Sequence, residues 1–444
     1  MSVRNTPMPY SVRCILAVYA FLLTIFSWIW LGLAGVRYGF HGAAWQILLA
    51  RFGRGRLLEG LPKHAVWLHA VSGGEVAATA LLYPALRKAL GDQIPIILTC
   101  TTASGMSMAG KRFPQAVRCL YAPLDTPGAV RRFFQKLEPT ILAVAEIEIW
   151  PNLFREAAQR DVPLVMYNAR MPDADLGKYA RFRWIFKHVL STVRMIAAQT
   201  AEDAARYCAI GAPADRITVT GNIKNDQEYR NPPERVFRFD QADPRPVILL
   251  ASSHPGEEQA VLDAVMTLGA RLVVAPRHVQ RARKIAALLR KSGYSFVVRS
   301  SLEAEGAVIT TDVLLLDTFG ELMSAARESL LVIMGGSFTR RIQGHNPMEA
   351  AALSRPVILG PCMDNFRDAR DALLAGGGAV SVQGYAGLRD AVRNWVENPS
   401  GADQAGKNAR KVLESLRGAS TRTAEIMSTI LIGRKKFDSF HLHR

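Results

Sequence analysis

Short apolar runs recur between residues 65 and 360, each separated from the next by enough chain for a helix, and few folds can use such a pattern. The first group is "AVWLHA" (65–70), "IPIILTCT" (94–101), "ILAVAE" (141–146), "PLVMYN" (163–168), "MIAAQ" (195–199) and "ITVTG" (217–221). The second is "VILLAS" (247–252), "RLVVAP" (271–276), "DVLLLD" (312–317), "LLVIMGG" (330–336) and "PVILG" (356–360). Strands that alternate with helices imply a parallel sheet wrapped by helices. Between the groups, "DQEYRNPPERVFRFDQADPRP" (226–246) is charged and punctuated by proline, and reads as an interdomain linker. At 444 residues with 49% hydrophobic content, the chain exceeds one core and can fill two. The expected plan is a segment 1–40, an α/β domain over 41–225, the linker, and a second α/β domain over 247–432. Both domains are expected to be doubly wound and Rossmann-like, facing across a cleft, with ligands at the carboxyl ends of the strands.

The first forty residues differ in kind. No charged residue lies between Arg13 and Arg37, and "CILAVYAFLLTIFSWIWLGLAGV" would make a helix of roughly 34 Å, enough to span a bilayer. A secretory signal is the rival, but the apolar core is long for one and no clear small-x-small cleavage site follows. Arg4 and Arg13 precede the segment, while Arg37, Arg51, Arg54, Arg56 and Lys63 follow it closely. That bias puts the large C-terminal part in the cytoplasm. Lys plus Arg outnumber Asp plus Glu by 55 to 38, a formal +17 spread along the chain, which suits an anionic membrane surface or phosphorylated substrates. No zinc-finger, basic-region or RNA-binding signature supports nucleic acid. Five scattered cysteines argue for a reducing compartment without a disulfide framework.

Polar residues gather where the apolar runs end. Ser72 and Glu75 in "WLHAVSGGEVAATALL" have capping-box spacing, which would start a helix. Gly73 and Gly74 beside them would equally let a substrate approach a carboxylate base. In "AVAEIEIWPN", Glu146 and Glu148 would share one face of a strand and Ile147 and Ile149 the other, as a functional pair or as ion-paired acids. Lys224 in "GNIKND" could reach an anion or remain a solvated lysine. "APRH" (275–278) offers Arg277 for phosphate contact, and "LDTFGEL" (316–322) gives another turn. In "GHNPMEAAA", Asn346 reads as an N-cap, Pro347 as the first helical residue and Glu349 as the third, so the helix start either caps itself or faces a phosphate. His69, His254, His278 and His345 stand in turns without metal-ligand spacing. Residues 178–195, "KYARFRWIFKHVLSTVRM", have the composition of an interfacial helix or of one packed on a core.

In order, "HAVSGGE", "PLDTPGAVRRFFQKLEP", "EIEIWPNL", "YNAR", "GNIKND", "SSHPGEE", "APRH", "DTFGEL", "MGGS", "GHNPMEAAA" and "GPCMDNF" resemble the 3-deoxy-D-manno-octulosonic acid (Kdo) transferases. The resemblance runs from about residue 64 to residue 366 and implies a GT-B fold with an N-terminal membrane anchor at the cytoplasmic face of the inner membrane. It further implies inverting, metal-independent transfer of Kdo from CMP-Kdo to a lipid A precursor (lipid IVA), without a cofactor. Carried over residue by residue, the general base falls on Glu75 and the transition-state residues on Glu146 and Lys224. The CMP site would comprise Pro276 and Arg277, the turn Phe319, Gly320 and Glu321, and the helix start Asn346, Pro347, Met348 and Glu349.

The chain departs from the family's usual wording at Gly73, where valine is common, at Asn225, where phenylalanine is, and at Gln343, where a second glycine precedes "GHN". "NARMPDAD" also replaces an "NARLS"-like run. These changes touch acceptor recognition more than the proposed chemistry. A divergent enzyme with another acceptor, a nucleotide-sugar epimerase and a basic membrane-bound binding protein are the alternatives.

Overall fold

The apolar runs fold as strands whose successive side chains serve two cores. In the strand Val66–His69, Val66 and Leu68 join one buried cluster while Trp67 joins the other, so no position is left for a polar residue until the strand ends. The structure is a computed structural model that describes residues 8–39, 41–115, 117–229, 236–302 and 306–441, with the side chains of 37, 38 and 434–441 excepted. Arg4 and residues 230–235 of the expected linker lie outside the described residues.

Two compact units divide the chain: residues 1–227 with 417–444, and residues 228–416. In the first, β1 (Val66–His69), β2 (Ile96–Cys100), β3 (Arg118–Tyr121), β4 (Ile141–Ala145), β5 (Leu164–Ala169), β6 (Met195–Ala198) and β7 (Ile217–Val219) form one parallel sheet. Its order is β3-β2-β1-β4-β5-β6-β7, so the winding reverses between β1 and β4. The helices are α1 (Tyr10–Tyr38), α2 (Gly42–Arg51), α3 (Gly73–Leu90), α4 (Ala103–Arg112), α5 (Pro127–Leu137), α6 (Pro151–Gln159), α7 (Asp173–Arg181), α8 (Arg183–Leu190) and α9 (Ala201–Ala209).

The second unit repeats the plan. Its strands are β8 (Phe237–Phe239), β9 (Val247–Ser253), β10 (Arg271–Pro276), β11 (Phe296–Val298), β12 (Ala307–Ile309), β13 (Val313–Leu315), β14 (Leu331–Met334), β15 (Val357–Leu359) and β16 (Ala379–Ser381). The parallel sheet runs β11-β13-β10-β9-β14-β15-β16 and reverses between β9 and β14, while β8 and β12 pair separately. Around it lie α10 (Glu257–Met266), α11 (Ala282–Ser292), α12 (Leu322–Glu328), α13 (Met348–Ala352), α14 (Arg367–Ala375), α15 (Tyr385–Glu397) and α16 (Pro399–Leu416). The last helix, α17 (Ala419–His441), belongs to the first unit.

That last point corrects the expected domain end at residue 432. Ala424, Met427 and Leu431, at helical spacing, bury beside Val76, Leu82 and Leu86 of α3, and Asp226 accepts hydrogen bonds from the Gly418 and Ser420 amides at the start of α17. The expected linker is also shorter than its composition suggests. Phe237 and Phe239 bury in the second unit's core, and the Arg271 guanidinium lies 4.8 Å from the Phe239 ring. The expected helix over 178–195 is instead α7 and α8, broken at Phe182, and Met195 opens β6.

One close approach yields a test of the second unit's packing. A Cβ at Gly406 in α16 would overlap the carbonyl of Ser354, a backbone atom that cannot swing aside. Gly406→Ala is expected to destabilise the unit by about 1–3 kcal/mol, as overpacking does, which a calorimetric unfolding scan would register as a lower transition temperature.

Candidate active site

Glu75 follows β1 and Glu146 follows β4, the two strands between which the first sheet changes direction. Ligands of open α/β sheets bind at such a point. The α3 start is a working cap: Ser72 Oγ accepts from the Glu75 amide, and the Glu75 carboxylate accepts from the Val71 amide and the Ser72 hydroxyl. The same carboxylate is buried, and that desolvation raises its pKa to about 7, opposed by the Val71 hydrogen bond and assisted by the negative charges of Glu146 and Glu148. Capping and proton transfer are therefore compatible in one side chain.

Glu146 and Glu148 lie in the turn after β4, beyond the strand in which they were expected to alternate. Ile147 and Ile149 still pack on the core. Glu146 holds a left-handed backbone, φ +53°, and its carbonyl accepts from the Tyr207 hydroxyl. Its Oε1 is 3.1 Å from Lys224 Nζ. Lys224 is set by its own neighbours: the Asn222 side chain accepts from the Lys224 amide, and Asn168 Oδ1 accepts from the amide of Ile223. Glu148 instead accepts from the Trp150 indole. His69 closes β1, so it is a strand residue and not a turn residue. Burial depresses its pKa to about 4, and Nδ1 meets the Thr99 hydroxyl at 2.9 Å.

In the second unit, a pocket of about 230 Å3 opens beside the strand ends. Arg277, His345, Asn346 and Glu349 line it, together with apolar Leu322, Met323 and Phe366. The Glu349 carboxyl is pushed up by burial and drawn back by the Arg277 charge. Asn346 accepts from the Met348 amide, as a cap should, and donates to the Tyr229 hydroxyl. Not every expected donor residue reaches this pocket's wall. Met348 and Pro347 are buried, Met348 within the core, and Pro276 is buried at the end of β10. Glu321 pairs with Arg299 and accepts from Thr318, while Phe319 is 78% exposed and Gly320 takes φ +85°.

Several contributors carry no recognisable spacing. Asn168 with φ +51° and Tyr207 emerge only from the fold, as does the stacking of the turn histidines His254 and His345, whose Nε2 atoms are 2.8 Å apart. Burial keeps both imidazoles below their usual pKa, so at neutral pH one donates and the other accepts. Gln343, which replaces a common glycine, has φ +63° and donates to the Arg340 carbonyl, so the turn survives the departure.

Residues 46–227 match the family model described as 3-Deoxy-D-manno-octulosonic-acid transferase (kdotransferase). The chain is 35% identical over 418 residues to a 3-deoxy-D-manno-octulosonic acid transferase of Bordetella pertussis, covering 90% of this chain and 95% of that one. It is 30% identical over 408 residues to one of Haemophilus influenzae, covering 89% and 90%. Among solved structures, UDP-GlcNAc 2-epimerase from Neisseria meningitidis bound to UDP-GlcNAc aligns with 83% of this chain and 100% of that one, at a TM-score of 0.52 and 13% identity. The last likeness is one of fold alone.

Proposed function

The chain belongs to the 3-deoxy-D-manno-octulosonic acid transferase family, a family of glycosyltransferases, and from that premise we propose that it moves Kdo from CMP-Kdo to a lipid A precursor, lipid IVA. The observation that carries the proposal is Glu75, buried after β1 with a pKa of about 7, near Glu146, which follows β4 and pairs with Lys224 from beyond β7. A base works best when its pKa lies near the working pH.

In the proposed reaction a sugar hydroxyl of the acceptor attacks the anomeric carbon of Kdo. The new C–O bond forms as the bond from that carbon to the CMP phosphate breaks, and the phosphate leaves with the electron pair. Glu75 takes the hydroxyl proton. Attack from the face opposite the leaving group inverts the anomeric centre. Lys224 offsets the negative charge of Glu146 next to the base. Arg277, with Asn346 and Glu349, would hold the nucleotide, the guanidinium meeting the phosphate and Glu349 accepting from ribose hydroxyls. Charge stabilisation falls to these side chains, and the step calls on no metal or cofactor.

We place the enzyme on the cytoplasmic face of an inner membrane, held there by α1, with an anionic lipid surface as its partner; no nucleic acid enters this reading. The test is direct. Purified full-length protein is incubated with CMP-Kdo generated in place and a tetra-acylated lipid A precursor, and the lipid is followed by mass spectrometry. Addition of one or more Kdo masses is expected, whereas an unchanged lipid alongside consumed CMP-Kdo would remove this acceptor.

A further inference from the structure

α1 is long and apolar enough to cross a membrane, yet one face of it is docked on the first unit. Val12, Leu16, Ala20, Ser27 and Leu31, at helical spacing, are buried. Val12 and Leu16 join the core that holds Phe154, and Leu31 packs with Leu48 and Phe52. The Trp28 ring lies 5.3 Å from that of Phe52, tilted by 46°, and the Tyr19 hydroxyl donates to Asp125, whose carboxylate also accepts from the Asn152 and Leu153 amides that open α6. From Val12 to Leu31 the docked stretch is about 28 Å, close to the ~30 Å of a bilayer's hydrocarbon core. A crossing helix would therefore bury this face of the first unit in hydrocarbon, with Asp125 near the midplane.

The other side of α1 has the opposite character. Ile15, Val18, Leu22, Ile25, Ile29 and Leu33 form an exposed apolar stripe. Arginines stand near both ends of the helix. Arg13 and Arg155 line a cavity of about 390 Å3 where α1 meets α6 and α8, and the Arg54 guanidinium lies 5.9 Å from the Trp28 ring. Exposed Trp28 and Trp30 add the aromatic residues that favour a membrane interface.

We propose that α1 lies in the plane of the membrane, docked on the first unit along its length, with its outward stripe sunk in one leaflet of an anionic phospholipid bilayer. The chain then enters the membrane without crossing it, and its amino end and its catalytic units share one side. Charge complementarity selects this occupant: arginines flanking an apolar helix face suit phosphate headgroups above acyl chains. The inference rests on the membrane attachment proposed above and is independent of the transfer reaction.

Sidedness decides it. Tyr10→Cys and, separately, Gln93→Cys on the first unit are placed in a chain whose Cys14, Cys119, Cys208 and Cys362 are serine. A membrane-impermeant maleimide is applied to spheroplasts and to inverted inner-membrane vesicles. Both cysteines are expected to label in the inverted vesicles and to stay at background in spheroplasts. Labelling of Tyr10→Cys from the spheroplast side, with Gln93→Cys labelled only in inverted vesicles, would overturn the in-plane helix and leave the attachment standing. Recovery of the protein free of membranes would overturn both. Should the cysteine replacements impair folding, protease removal of an amino-terminal epitope tag from the otherwise unaltered chain gives the same readout. Removal in inverted vesicles alone supports the proposal, and removal in spheroplasts refutes it.

Discussion

Replacing Glu75 with glutamine is expected to lower Kdo transfer by about 10²- to 10⁴-fold, the range a lost general base produces, while the CMP binding proposed for the second unit should persist. Glutamine keeps the size of the side chain and can still accept from the Val71 amide, so the α3 start should survive the change. The pH profile separates a base from a mere cap. Burial and the neighbouring acids raise the Glu75 pKa to about 7, and the base acts as the carboxylate. Wild-type kcat/KM should therefore rise with pH through about 7 and level off above it. At lower pH the buried group holds its proton and cannot take another. The glutamine variant should retain its residual rate without that inflection. An unchanged rate in the variant would reduce Glu75 to the helix cap it also is.

Lys224→Met should cost about 10²- to 10³-fold in turnover, in line with losing one preorganised electrostatic contact. A second effect follows from geometry. Lys224 Nζ sits 3.1 Å from Glu146 Oε1, and the Glu146 charge already pushes the Glu75 pKa upward. Without the lysine that repulsion is less compensated, so the inflection in kcat/KM should move to higher pH. Adding Glu146→Gln to Lys224→Met should bring the inflection back down without restoring the rate. If the single variant loses rate with the inflection unmoved, the two acids are not electrostatically linked through the lysine.

How much of this was legible depended on where a residue sits in its sheet. Central strands such as β1, β4, β9 and β14 are covered on both faces, so they appear as unbroken apolar runs. Edge strands escape that rule. β3, with exposed Arg118 and only Leu120 fully buried, and β16, three residues with Val380 and Ser381 exposed, carry too few apolar positions to stand out. Short β8 was hidden inside a charged segment, although Phe237 and Phe239 flank Arg238 with the alternation of a strand. The return of α17 to the first unit was equally out of reach, because its apolar stripe identifies a helix and not the surface that buries it.

The candidate site divides along the same line. Ser72 and Glu75 announce a helix start because capping is a contact between near neighbours, and Asn346 with Met348 does so for the same reason. Sequence alone thus determined the alternation of strands and helices, the two-unit plan and the apolar amino-terminal helix. Only the tertiary structure decided that β1 and β4 lie side by side, so that Glu75, Glu146 and Lys224 gather at the carboxyl ends of the strands from distant parts of the chain. It also decided that one face of α1 is occupied by protein. The physical reason is common to both. Local hydrogen bonding and hydrophobic periodicity are written in neighbouring residues, whereas strand order, the desolvation that raises a pKa and the partner of an apolar face depend on what the rest of the chain brings near.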